Sequence, residues 1–230
     1  MADPAIRLTE ADRDIFVTCL RDVERCCSIR VIAYSVTLKD FEVFLEIPPA
    51  NPTIDTAEAL LDRLKRSLVG AGKVANIERR LAKFRSADDV EGEREYVAGT
   101  YRRLRNEDRF IKLLVEQFTS SYNQTRNRTG KVWAEPGWWT PVEDSGETTL
   151  AMATYIDLNG VRAGLAKKYE EYRWCSFGEA MRGMEPAGAA IQFVIHRYFD
   201  RDESLAKALV TYREQLVQRH AGLNRLALAG

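Results

Sequence analysis

Two consecutive runs near the N-terminus constrain the fold more than any other feature. Ile29 to Val36 is rich in β-branched residues and contains Tyr34, the composition of a strand. After a turn at Leu38-Lys39, Asp40 to Pro48 alternates. Phe41, Val43, Leu45 and Ile47 fall on one side, and Asp40, Glu42, Phe44 and Glu46 on the other. A period of two is the signature of a pleated strand. The pair predicts an antiparallel hairpin whose second strand has one buried and one polar face. Pro48-Pro49-Ala50-Asn51-Pro52 ends it.

Helical periodicity surrounds this hairpin, so the class is α+β. Thr9 to Cys27 reads as a helix, with Thr9 as N-cap and Asp12 in a variant of the capping box. Its apolar stripe is Ile15, Phe16, Cys19, Leu20 and Val23. Thr56 to Val69, Lys73 to Phe84 and Glu91 to Leu104 are three further helices, and Thr53 to Arg105 reads as a helical insertion. Glu107 to Asn123 follows, with Phe110, Leu113, Leu114, Gln117 and Phe118 at core spacing. Arg126 to Gly130 is a basic turn. Lys131-Val132-Trp133 and Trp138-Trp139 mark a short extended segment broken by Pro136-Gly137. Thr148 to Leu165 reads as one helix, Tyr169 to Met181 as a packed loop and short helix, and the chain after Ala187 as helices that dock on the body or extend from it.

A chain of 230 residues suits one domain with an insertion or a small appendage. No apolar run reaches bilayer length, and Met1-Ala2-Asp3-Pro4 opens no signal pattern. A cytoplasmic location without a membrane partner is the expectation. Net charge is zero, yet Leu61 to Lys131 carries 17 basic against 10 acidic residues. That bias either faces a phosphate backbone or lies on solvated helix faces laced with opposite charges, as at Arg79, Arg80, Glu91, Glu93 and Arg94. Cys19, Cys26, Cys27 and Cys175 have no metal-ligand spacing and read as buried small apolar residues. His196 and His220 are the only histidines, which excludes a mechanism needing two neighbouring imidazoles.

The chemistry-bearing run is Tyr155-Ile156-Asp157-Leu158-Asn159-Gly160-Val161-Arg162-Ala163-Gly164-Leu165. A phenol and a carboxamide four positions apart share one helix face, and a basic residue follows a turn later. A tyrosine attacking a phosphodiester, with an amide oxygen beside it to help hold a cation, needs this layout.

Ile29 to Tyr34, Val43 to Pro48, Phe110 to Trp133, Tyr155 to Leu165 and Tyr172-Arg173-Trp174-Cys175-Ser176-Phe177 occur in the order of the REP-associated tyrosine transposases. These are HUH single-tyrosine transposases of the insertion-sequence-200 type. The chain resembles them over about residues 7 to 185, and its insertion resembles a long-insert branch. The resemblance implies a ferredoxin-like antiparallel sheet with packed helices over 1–185, an insertion over about 53–105 and a C-terminal helical extension over 186–230. It implies cleavage and rejoining of single-stranded or hairpin DNA through a 5′-phosphotyrosine. Tyr155 falls on the nucleophile and Asn159 on a helix-borne metal ligand. A phenol titrates near ~10, so it needs activation, and Mg²⁺ or Mn²⁺ would polarise the scissile phosphate.

The sequence departs from that pattern in four places. Asp40-Phe41-Glu42 stands where the family has a His-hydrophobic-His pair; these carboxylates suit hard cations, and with Asn159 they form the candidate metal set. Pro136-Gly137-Trp138-Trp139 lacks the usual arginine, and Gly160 replaces proline. The family's first strand has no counterpart; a start upstream of Met1 or loss of the strand would each account for that. Arg126, Arg128, Lys131 and Arg162 are the candidate DNA contacts. Each candidate has an ordinary alternative. Tyr155 is then a half-buried anchor, Asp40 and Glu42 a solvated strand face, Asn159 a helix-end residue bonding local backbone, and the basic residues solvent-exposed. Trp133, Trp138 and Trp139 stack on bases or pack in the core. Two functions follow: an active strand transferase, or an inactive descendant that binds hairpin or single-stranded DNA as a regulator. A protein-binding scaffold built on the insertion is a third.

Overall fold

The computed structural model describes residues 6–51, 53–66, 71–134 and 139–228, with the side chains of residues 71 and 223–228 outside that description. The chain forms two compact units. One comprises Met1–Asp14, Val31–Glu46 and Val132–Gly230, and the other Ile15–Arg30 and Ile47–Lys131.

The first unit holds the hairpin of β1 (Arg30–Val36) and β2 (Phe41–Glu46). The Thr37 N–H donates to Asp40 O at 2.8 Å and closes it. β1 is buried from Val31 to Val36, on both faces. Its far edge is sealed by the chain around Cys175, which forms a single antiparallel bridge to Ser35. There Val36 N–H donates to Trp174 O at 3.0 Å and Tyr34 N–H to Ser176 Oγ at 2.6 Å. An unpaired strand edge inside a core would strand polar groups, and this segment satisfies them. It stops after one bridge because Ser176 starts a helix. A ferredoxin-like sheet needs further strands, which the described residues do not form; what they establish is a mixed α+β architecture dominated by helix.

β2 departs from the simple two-faced expectation. Glu42 is exposed, but the other five residues of the strand are partly covered, on both faces. Phe41 packs edge-on against Trp133 with ring centroids 4.9 Å apart, and a later helix, Gly146–Asp157, packs on the strand.

The first helix, α1 (Glu10–Cys27), starts as its capping box predicts. Thr9 N–H donates to Asp12 Oδ2 at 2.8 Å, and Asp12 N–H to Thr9 Oγ1 at 3.3 Å. Its stripe residues Phe16, Cys19, Leu20 and Val23 are buried. In the second unit follow α2 (Ala57–Arg66), α3 (Ala71–Ser86), α4 (Val90–Leu104) and α5 (Glu107–Thr125). The insertion helices close on Leu60, Leu64, Val74, Leu81, Val97 and Tyr101, joined by Cys26 of α1. Burying each such side chain contributes about 1.5–3 kcal/mol. Their outer faces are laced with opposite charges, as one sequence reading expected: Arg85 bridges Glu58 and Glu93, and Arg94 pairs with Glu91. Exposed pairs of this kind are worth under about 1 kcal/mol each. All four cysteines are free and buried.

The chain returns to the first unit with α6 (Gly146–Asp157), α7 (Asn159–Arg162), a single 3₁₀ turn (Tyr169–Glu171), α8 (Ser176–Met181), α9 (Glu185–Phe199) and α10 (Leu205–Leu228). The segment after Ala187 docks rather than extends: α9 packs on α6 and α8, and α10 on α6, α8 and α9. No helix among the described residues is long and apolar enough to cross a membrane.

Candidate functional site

The expected helix over Thr148–Leu165 starts earlier and comes in two pieces. Ser145 caps α6, its hydroxyl accepting from Thr148 N–H at 3.1 Å. Near the other end, the Thr154 hydroxyl donates to Leu150 O at 2.6 Å and Ala151 O at 3.1 Å. Such back-bonding competes with the helical ladder and bends it. The helical sense carries through Leu158 into α7, because Arg162 N–H reaches Leu158 O at 2.9 Å and Ala163 N–H reaches Asn159 O at 2.8 Å.

Tyr155, Asn159 and Arg162 therefore keep one face and meet. Tyr155 is 39 % exposed. Arg162 Nη2 donates to the phenol oxygen at 3.4 Å, and Nη1 to Asn159 Oδ1 at 3.2 Å. The guanidinium carbon lies 4.4 Å from the Tyr155 ring centroid, a cation–π distance. One guanidinium thus joins the phenol and the amide.

Asp40 and Glu42 belong to the same unit, on the hairpin that α6 covers. The Asp40 carboxylate accepts the Thr37 hydroxyl, and its own N–H donates back to Thr37 Oγ1 at 3.3 Å. This is an Asx-type reinforcement of the β-turn. Glu42 is exposed. Among the described residues, no three His, Cys, Asp or Glu side chains gather where a metal ion could sit.

Arg126, Arg128 and Lys131 lie in the other unit, in the turn after α5. The turn folds onto Tyr122: the Arg126 guanidinium is 4.1 Å and that of Arg128 5.6 Å from its ring centroid. Arg128 Nη2 donates to Lys131 O at 3.3 Å, and Asn123 Nδ2 to Gly130 O at 2.8 Å. Gly130 sits at φ +98°, which suits glycine. Of the tryptophans, Trp133 is buried against Phe41 and is a core residue. Trp139 is 47 % exposed. Trp138, with Pro136-Gly137, lies outside the described residues.

Two features escaped the sequence reading. Asp157 points inward, two positions and about half a helical turn from the outward Tyr155. It is buried, accepting Phe177 N–H at 3.1 Å and the Tyr212 hydroxyl at 2.7 Å. Burial pushes its carboxyl up to about 6 despite these bonds. One acid thereby joins the end of α6, the start of α8 and the middle of α10. The available signal was an acid inside the apolar run from Leu150 to Val161.

The second is the pairing of Gly160 with Tyr172. A Cβ at Gly160 would land on the buried Tyr172 ring, whose hydroxyl donates to Val36 O at 2.6 Å and accepts from Arg13 Nη1 at 3.2 Å. The ring is pinned, so Gly160 is dictated by packing. Gly160→Ala is expected to destabilise the protein by about 1–3 kcal/mol. Equal urea midpoints for the variant and the parent would contradict this.

No protein-family model, curated protein or solved structure matches this chain.

Proposed function

We propose that the protein cleaves and rejoins single-stranded DNA, presented beside a hairpin, through a 5′-phosphotyrosine on Tyr155, as in DNA transposition. The observation that carries the reading is the exposed phenol joined through Arg162 to the Asn159 amide. An attacking phenol must be reachable by a phosphodiester and must sit beside positive charge. In the step itself, the phenol oxygen forms a bond to phosphorus and the bond to the 3′ oxygen breaks. That oxygen ends as a 3′ hydroxyl, carrying the proton the phenol gives up through solvent. Rejoining reverses the step with an incoming 3′ hydroxyl, so no nucleotide cofactor is consumed. Arg126, Arg128 and Lys131, on the turn beside Tyr122, form a basic group of the second unit whose chemistry suits DNA phosphates. A ferredoxin-like origin for the hairpin and its helices belongs to the same proposal.

The resemblance would add Mg²⁺ or Mn²⁺ held by Asp40, Glu42 and Asn159. The side chains as placed fit that ion poorly. The Asp40 carboxylate is engaged in its turn, and the Asn159 oxygen already accepts a guanidinium N–H. A divalent ion on that oxygen would stand about 4 Å from a fixed positive charge. The repulsion is about 2 kcal/mol in bulk water and about 8 kcal/mol at an effective dielectric of 20.

The engaged Asp40 also favours a second reading, a protein that binds hairpin or single-stranded DNA without cutting it. The test uses the full chain and labelled single-stranded hairpin oligonucleotides. Strand transfer predicts an SDS-resistant protein–DNA adduct that disappears in Tyr155→Phe, since removing one oxygen removes the nucleophile. Salt-sensitive hairpin binding without any adduct selects the second reading. Absence of DNA binding at low salt removes both and favours a protein scaffold.

A further inference from the structure

We infer that the guanidinium of Arg162 is the resident cation of the Tyr155 site, pairing with the phenol oxygen and neutralising the scissile phosphate where a divalent ion would otherwise act. The substrate named here rests on the strand-transfer reading; the pairing with the phenol does not.

The geometry is that of a fork. The two terminal nitrogens of one guanidinium reach two different acceptors, the phenol oxygen at 3.4 Å and the amide oxygen at 3.2 Å, while the guanidinium carbon stands over the ring, 4.4 Å from its centroid. A planar, permanently charged fork can do this, and a lysine ammonium, a single point charge, reproduces only part of it. Spacing within the chain sets the arrangement. Residues 155, 159 and 162 rise along one helical face, so nothing beyond α6 and α7 is needed to build it.

The hydroxyl is the acceptor in this contact, which leaves its proton directed away from the guanidinium and available to solvent. As the phenol oxygen attacks, negative charge builds on it and on the phosphate oxygens. The same group stands beside both. Two of its five N–H groups are used by Tyr155 and Asn159, and the remaining three can meet phosphate oxygens. Arg162 is thus a catalytic residue, in contact with the reacting atom, rather than one more surface contact to the DNA backbone. Asn159 is its positioning partner, holding the fork in register with the ring.

The experiment has two arms. In the first, without DNA, rotation of the Arg162 guanidinium is followed by ¹⁵N NMR of its side-chain nitrogens. The expected result is restricted rotation in the parent and several-fold faster rotation in Tyr155→Ala, where the ring and the phenol oxygen are both removed. In the second arm, adduct formation on the hairpin oligonucleotide is measured in EDTA and in Mg²⁺. The expected result is equal yield in both, and at least tenfold less in Arg162→Gln. Equal guanidinium rotation in the parent and in Tyr155→Ala, or an adduct that requires Mg²⁺, overturns the inference. Restricted rotation in the parent with no adduct under any condition supports the pairing and overturns the strand-transfer reading instead.

Discussion

Arg105→Ala is expected to cost the insertion about 3–5 kcal/mol, the range for removing one partner of a buried ion pair. Asp55 precedes α2 and Arg105 caps the end of α4, so their contact staples the entrance of the insertion to its exit. The two side chains are only 7 % and 5 % exposed, and the contact is bidentate at 2.5 and 2.6 Å. Asn51 N–H adds a further bond to the carboxylate at 2.9 Å. Burial by itself would raise the Asp55 carboxyl. The hydrogen bonds from Arg105 and Asn51 and the charges of Arg105 and Arg63 outweigh it and hold the group below the usual carboxylate range.

Truncating Arg105 leaves that carboxylate buried without its cation. Hydrogen exchange read by mass spectrometry should then show faster opening of peptides from α2 and α4, and equal exchange in the two proteins would refute the assignment. The pH dependence has a definite sign. A depressed folded-state value contributes stability that is present above the unfolded carboxylate range and is lost as pH falls through the folded value. The parent's advantage over Arg105→Ala should therefore shrink on acidification below the normal carboxylate range. Changing both partners to apolar residues of similar volume should cost far less than Arg105→Ala alone.

The second large effect runs in the opposite direction with pH. Asp157 has a carboxyl raised to about 6 from its ordinary 3.8, with burial as the main cause. A raised value means the folded protein binds the proton more tightly than the unfolded chain. The corresponding stability is complete below about 3.8 and is lost as pH climbs through about 6. Asp157→Asn keeps a neutral group of the same shape in contact with Phe177 N–H and Tyr212. Relative to the parent, the variant should gain roughly 3 kcal/mol between pH 4 and pH 7, since the shift spans about two units at 1.36 kcal/mol each. Urea titrations at several pH values check this. A stability gap that stays flat across that window would mean that the acid titrates alike in the folded and unfolded chains.

How much was readable in advance depended on the distance over which each feature is specified. The capping box at Thr9 and Asp12, the burial of Phe110, Leu113, Leu114 and Phe118, and the strand and helix identities all rest on patterns within a few residues. The common face of Tyr155, Asn159 and Arg162 is of the same kind, because a period of 3.6 places them before any tertiary contact forms. The division at Leu158 was missed because the backbone there stays close to helical, with Leu158 N–H on Thr154 O and Arg162 N–H on Leu158 O, and a periodicity count reads the run as continuous. The coverage of both faces of β2 was missed for a different reason: alternation describes one strand, while burial depends on what packs against it.

Local pattern was enough to specify the hairpin, most of the helices and the face on which phenol, amide and guanidinium meet, since each follows from torsional preference and periodicity. Long-range packing is what seals Asp157 beneath that face by Tyr212, 55 positions away, leaves room only for glycine at 160 beside Tyr172, and closes Arg105 on Asp55 across 50 positions. These are partnerships between distant residues. The energy of a buried charge or a pinned ring is set by whichever groups the fold brings within a few ångströms, and no local pattern carries that information.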